Sequence, residues 1–417
     1  MKMHEPTAPR ERLPEIDILR GIALLGIIGV NMYMYAAPAS YWALAGVEPF
    51  TGTFDRIVTF LIDTVAQGKF LPIFAFLFGF GAALQWKRLM RRGLDDPAAA
   101  AVLRRRFMIL LLLGIVHASL IWAGDILAVY AVFGLIVLAW RRWPTRRLLA
   151  ISGALWAALL AASAWVLIAE VISGGSGATG MSEMQAFFAD QAAIALETYA
   201  KGSFAAITAQ RLFDYVMSLA LGWLALLIPF GLLLVGFVAG RDGWWDEDGR
   251  LRAAGRLGAW VRWAMLIGLI SEAVGSALRL DWLGGGAGWT NHLAELLYVV
   301  GTPLLAIGYI GAILRLAEKA AWQKRLEPFA MVGRMSLTNY LMQSVIATTL
   351  VYSYGFGLYG RIGPALSFII AVGIYVLQVV VSGAWLRRYR FGPVEWLWRS
   401  FTYGELQPMR PAAHRGG

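Results

Sequence analysis

The sequence predicts an all-α protein: a polytopic bundle of about ten transmembrane helices with both termini cytoplasmic. Three observations carry this. Apolar residues are 59% of the 417, above the usual ~45–50%. Charged residues are 15%, against a usual ~25%, too few to cover a soluble domain of this size. The 37 Lys and Arg fall in blocks between apolar runs, 29 on the side of the N-terminus, 6 on the other and two within spans. That asymmetry is the one expected of cytoplasmic loops, and it explains the net charge of +11 without nucleic acid.

The first apolar run, Ile18–Ala36, reads as a span rather than a signal peptide. Glu15, Asp17 and Arg20 crowd it and its tail is aromatic. Residues 38–52 read as a loop, 53–67 as an amphipathic stretch and Phe70–Leu84 as a second span. A basic loop (87–106) precedes spans three and four, Phe107–Ala123 and Ile126–Trp140, which are joined by a tight turn at Gly124-Asp125. After a second basic loop (141–147) comes span five, Leu148–Ile172. Residues 173–210 are Gly/Ser-rich, then mildly amphipathic, and are expected at the membrane interface. Spans six to ten follow at Leu212–Val238, Leu257–Val274, Leu293–Leu316, Leu337–Val351 and Ile362–Leu386, before a basic, aromatic tail. Three regions result: 1–147, 148–240 and 241–417.

Chemistry at membrane depth falls to few residues, because an ionisable group there costs several kcal/mol unless paired or wetted. Arg20, His117, Asp125, Glu170, Asp214, Glu272, His292 and Glu295 are such groups. All but Arg20 fall in the outer half and are expected to line an outward-facing polar cavity. His117 is the sharpest, since histidine passes a proton near neutral pH. Asp125, eight residues on, is placed to orient its imidazole. His292 and Glu295 share a helix face at spacing i, i+3. At the opposite mouth, Asp17 and Arg20 sit at i, i+3 near Arg104, Arg105 and Arg106, a group suited either to an ion pair or to a polyanion. Gly21/Gly26/Gly29, Gly79/Gly81 and Gly236-x-x-x-Gly240 suit close helix contact. Aromatics at the outer ends, Tyr35 and Trp122 among them, read as an interface belt. The Gly-rich stretch 284–288 lacks the setting of a phosphate cradle. The chain has no cysteine, which removes disulfides and thiol nucleophiles. Its four histidines, at 4, 117, 292 and 414, are too scattered for a metal site, so no metal is expected.

IDILRGIALLGIIGVN (16–31), GKFLPIFAFLFGFG (68–81), RRRFMILLLLGIVHASLIWAGDILAVYAVFGL (104–135), VGRMSLTNYLMQS (332–344) and FGPVEWLWRSFTYG (391–404) resemble, in order and spacing, the YeiB-like family of bacterial inner-membrane proteins. The first half is distantly similar to transmembrane acyltransferases of the heparan-glucosaminide acetyltransferase type, through Asp17, Arg20, Gly21, Asn31 and the basic start of span three. The resemblance implies an inner-membrane protein that takes an acyl group from cytoplasmic acyl-CoA to an outer-facing envelope sugar or lipid. Arg20 and Arg104–Arg106 would hold the donor phosphates. His117 would be the base, Asp125 its orienting partner and Asn31 an oxyanion donor. Glu272, His292 and Glu295 would face the substrate cavity. Those enzymes commonly carry a histidine at the outer end of span one, where this sequence reads NMYMYAAPASYWALA (31–45). A transporter of a small amphiphile and a non-catalytic membrane partner are the alternatives.

Overall fold

The computed structural model describes residues 13–173, 178–244, 254–283 and 288–410. His4, His414 and most of the Gly-rich stretch lie outside them. Every regular element among the described residues is helical, as the composition predicts. In chain order these are α1 (Pro14–Ala36), α2 (Ala39–Ala45), α3 (Thr53–Val65), α4 (Phe70–Arg91), α5 (Asp96–Leu120), α6 (Leu127–Ala139), α7 (Thr145–Ser173) and α8 (Ala178–Lys201). There follow α9 (Phe204–Gly222), α10 (Leu227–Arg241), α11 (Ala254–Arg279), α12 (Gly288–Ala317), α13 (Ala320–Arg334), α14 (Ser336–Val351), α15 (Pro364–Leu386) and α16 (Pro393–Tyr403).

Seven stretches are long and apolar enough to cross a membrane. They are α1, α3–α4 together, α7, α9–α10 together, α11 from Gly258, α12 and α15. The other three expected spans fall on α5, α6 and α14. α6 and α14 have only 13 and 16 residues, about 20 and 24 Å at 1.5 Å per residue. α5 carries Arg104–Arg106 within its length. The bundle is a membrane protein's, with whole faces of α7 and α15 left apolar and exposed, as at Trp165, Ile172, Val376 and Val380.

Two expectations, the loops at 87–106 and 38–52, are corrected by local physics, and two stretches gain detail. The 87–106 loop is mostly helix, leaving residues 92–95 as the connection. Asp95 caps α5 by accepting from Ala98 N at 2.9 Å, Pro97 fits its first turn, and an alanine run carries it on. The loop 38–52 contains α2, closed by Gly46 at φ 69°. The interfacial stretch 173–210 holds α8 and the start of α9, which Ser203 caps. Span six is broken by a 3-10 turn at Trp223–Leu226.

Small residues set the contacts that place the site. A Cβ on Gly79 would lie 2.1 Å from Leu233 O, and one on Gly236 2.0 Å from Phe76 O, so α4 and α10 touch backbone to backbone. Gly21 and Gly333 do the same for α1 and α13, where Cβ atoms would meet Phe329 O and Asp17 O at 1.9 Å. The three sequence regions therefore interleave: α10 lies on α4, and α13, α14 and α15 all pack on α1.

Candidate functional site

Two cavities open into the bundle from opposite ends of α1. The basic cavity, about 290 Å³, lies at the end where α1 begins. It is lined by Arg20 of α1, Arg88 and Arg92 around the end of α4, Arg106 of α5, Arg334 at the end of α13, and Arg390 and Arg399 of the tail. Seven arginines thus face two carboxylates, Asp17 and Glu395. Asp17 pairs with Arg20 at 3.2 Å. Glu395 accepts from Leu337 N (2.6 Å), Thr338 N (3.1 Å) and the Thr338 hydroxyl (2.5 Å). It is committed to the exposed amides at the start of α14. The tail helix α16 closes the cavity: Trp398 Nε1 donates to Arg106 O at 2.9 Å, and the Arg106 guanidinium lies 3.6 Å over the Trp398 ring. Burial lowers the pKa of Arg399; Tyr403 and Glu395 oppose this, while Arg20 and Arg88 add to it. An arginine nevertheless stays charged, so the crowding is a standing repulsion that a bound anion would relieve.

Of the residues expected to hold an anion, Asp17, Arg20 and Arg106 line this cavity. Arg104 and Arg105 are exposed and do not. Nearby, Asp96 joins the ends of α4, α5 and α6. It accepts from Trp86 Nε1 at 2.9 Å and pairs with Arg141 at 2.7 Å and with Arg142. The Arg141 hydrogen bonds hold its carboxyl down to about 2.

The second cavity, about 800 Å³, is predominantly apolar and aromatic. Asn31 lines it, as do Trp122, Gly124 and Ile126. So does Asp214, which accepts from Tyr41 (2.7 Å), Tyr199 (2.6 Å) and Gln210 (2.8 Å). The wall between the cavities is thin. On α1, Arg20 lines one and Gly26 the other, about 9 Å of helix rise. On α4, Phe74 faces one and Pro72 the other.

Beside the apolar cavity lies a buried polar chain. His117 Nδ1 is 2.9 Å from Asp125 Oδ1, and its Nε2 is 2.9 Å from Ser344 Oγ. Ser344 Oγ is in turn 2.7 Å from the Tyr35 hydroxyl. Asp125 Oδ2 accepts from Ala128 N at 2.8 Å, which fixes the carboxylate. The tautomer that donates from Nδ1 to Asp125 leaves Nε2 as acceptor for the Ser344 proton. His117 is 1% exposed and Ser344 0%. The Tyr35 ring packs at a tilt against Trp122, centroids 4.1 Å apart, and so links the chain to a residue that lines the apolar cavity.

The other expected residues scatter. Glu272 is buried and paired with Lys69 at 2.8 Å, and it accepts from Thr302 at 2.8 Å. Lys69 also donates to Asp63 O at 2.5 Å and lies 5.4 Å over the Tyr298 ring. Glu170, His292 and Glu295 line neither cavity, and Glu295 is exposed. Among the described residues no three His, Cys, Asp or Glu side chains gather as a metal site. Sequence reasoning missed Ser344, Tyr35 and the tail arginines. A signal for Ser344 existed: Asn339, Gln343, Ser344 and Thr348 form a polar stripe on an otherwise apolar helix.

Comparison with known proteins gives the family of the chain. Residues 239–405 match the profile of a family described as a protein of unknown function, DUF418. The uncharacterized protein YxaH of Bacillus subtilis (strain 168) is 32% identical over 425 aligned residues, 98% of each chain. The uncharacterized protein YeiB of Escherichia coli (strain K12) is 32% identical over 414, covering 95% of this chain and 98% of its own. A 39.9 kDa protein of Bacillus acidopullulyticus, encoded in the amylase 3′ region, is 27% identical over 97% of this chain.

Proposed function

We propose that this chain, which belongs to the YeiB-like DUF418 family, is an inner-membrane acyltransferase that passes an acyl group from cytoplasmic acyl-CoA to an outer-facing acceptor. The observation that carries the reading is the pairing of a seven-arginine cavity with a buried His117–Asp125 dyad beside a second cavity. Clustered guanidinium groups suit the phosphates of a donor such as coenzyme A. The apolar, aromatic cavity suits an amphiphilic acceptor, an envelope lipid or sugar. His117 is the general base, with Nε2 unprotonated because Nδ1–H is given to Asp125. Asn31 donates to the developing oxyanion. The arginine-rich face is the cytoplasmic one, by the asymmetry of basic residues.

The test is acyl transfer from radiolabelled acetyl-CoA in proteoliposomes, wild type against His117→Ala. Label reaching an outer-face acceptor with wild type and lost in the variant supports the reading. Absence of transfer from every acceptor mixture sinks it. One observation favours a second reading, export of a small amphiphile. The break between α9 and α10 lines the apolar cavity at Leu221–Gly222 and Ala225–Leu226, as broken helices do in transporters. Efflux of a loaded amphiphile without any acyl donor distinguishes it.

A further inference from the structure

We infer that Ser344 is a nucleophile that carries the acyl group covalently between donor and acceptor, with His117 as its base and Asp125 as positioning residue. The inference rests on the acyl-transfer reading for the identity of the donor but not for the existence of the nucleophile. Two residues on either side of one turn and a third from a distant part of the chain form an unbroken line: carboxylate, imidazole and hydroxyl at successive distances of 2.9 Å. Ser344 lies 227 residues from His117 in sequence. A histidine that merely needed burial would be satisfied by Asp125 on one nitrogen and any backbone N–H on the other. This one instead points its second nitrogen at a hydroxyl, the arrangement that activates a serine. The Tyr35 hydroxyl, 2.7 Å from Ser344 Oγ, is placed to donate to the serine oxygen once its own proton has moved to His117.

The chemistry balances without another reactant. Ser344 Oγ attacks the thioester carbonyl of the acyl donor as His117 Nε2 takes its proton. The tetrahedral intermediate collapses, the carbon–sulfur bond breaks, and His117 returns the proton to the leaving thiolate. An acceptor hydroxyl or amine then attacks the serine ester with His117 again as base. The carbon–Oγ bond breaks and Ser344 regains its proton. The triad is buried, His117 1%, Asp125 5% and Ser344 0% exposed, which protects a serine ester from water until the acceptor enters.

Two probes test this on the full chain in detergent or proteoliposomes. A fluorophosphonate, which reports activated serines without any acyl donor, is expected to modify Ser344, located by peptide mass spectrometry. The adduct should be absent in Ser344→Ala and formed at least about tenfold more slowly in His117→Ala. Radiolabelled acetyl-CoA without acceptor is expected to leave a label that alkali releases and neutral hydroxylamine does not. The chain has no cysteine, so no native thioester can contribute. Ser344→Cys supplies the chemical signature: its label becomes labile to neutral hydroxylamine, with its size-exclusion profile showing retained folding. Acetyl transfer to acceptor with neither probe on Ser344, or at full rate in Ser344→Ala, overturns the inference while leaving the transferase. A fluorophosphonate adduct on Ser344 with no turnover of any acyl-CoA overturns the donor reading while leaving the nucleophile.

Discussion

Replacing Lys69 by Met removes one half of an ion pair whose side chains are 0% and 1% exposed. At 2.8 Å and an effective dielectric of 20, the gross attraction is about 6 kcal/mol. Withdrawing both ions from water costs several kcal/mol each, so the pair as a whole contributes little net stability. Its halves are another matter. Lys69→Met leaves the Glu272 carboxylate buried with only the Thr302 hydroxyl as donor, a loss of about 3–5 kcal/mol. Glu272→Leu should cost less, since Lys69 keeps Asp63 O and the Tyr298 face. The double variant Lys69→Met/Glu272→Leu should return to within about 1–2 kcal/mol of wild type, because the Glu272 carboxylate is gone with its partner and the neighbouring Asp63 and Arg279 still face each other. Thermal unfolding of the four proteins in one detergent, analysed as a double-mutant cycle, reads the coupling directly. A double variant as unstable as Lys69→Met alone would refute the reasoning. So would a Lys69→Met protein as stable as wild type.

Four other outcomes follow from the same structure. Asp125→Asn has one oxygen for two donors: held by Ala128 N, it turns its NH2 toward His117 Nδ1, so the imidazole takes the wrong tautomer; acetyl transfer should fall by roughly 10³–10⁴ with the donor KM little changed. Arg334→Gln or Arg399→Gln, inside the basic cavity, should raise that KM by roughly 10–100-fold, the equivalent of one charge-assisted hydrogen bond. Arg104→Gln and Arg105→Gln, outside it, should change it by less than about twofold. Gly21→Leu should abolish assembly of monodisperse protein, because its Cβ would sit 1.9 Å from Phe329 O, whereas Gly29→Ala, with nothing nearer than 3.9 Å, should be tolerated; size-exclusion profiles decide. Asp96 is held down to about 2 from 3.8, so its stabilisation is present above pH ~4 and fades as the pH falls toward 2. The gap in melting temperature between wild type and Asp96→Asn should be wider at pH 7 than at pH 3.

Seven of the ten expected spans fall on stretches long and apolar enough to cross a membrane; they were legible because runs of about 20 apolar residues have few soluble uses. What escaped is instructive. α8 and α13 are helices of ordinary polarity and give no hydropathy signal. The 3-10 run Trp-Leu-Ala-Leu between α9 and α10 is announced only by Gly222 before it and by Pro229, three residues into α10, which cannot donate to Ala225 O. The end of the 87–106 stretch was legible after all, since Asp95, Pro97 and four alanines spell a helix start; the density of charge obscured it. At the site, His117 and Asp125 were within reach of local reasoning because one tight turn separates them. Ser344 was not, because its place beside His117 depends on how α14 packs on α1. The arginines were visible singly, but each had a sufficient topological explanation, and only their convergence from α1, α4, α5, α13 and the tail distinguishes a cavity from a loop bias.

The thin wall between the cavities has an electrical consequence. Solvent standing in both brings the two bulk phases within about 9 Å of helix rise, in place of the ~30 Å hydrocarbon core. Most of a transmembrane voltage then falls across that wall, and each elementary charge carried through it would cost or yield about 2.3 kcal/mol per 100 mV. A multiply charged donor left among the arginines never meets that field. A neutral acyl group handed across it does no electrical work, so the turnover expected of this geometry runs at the same rate in an energised and a depolarised membrane.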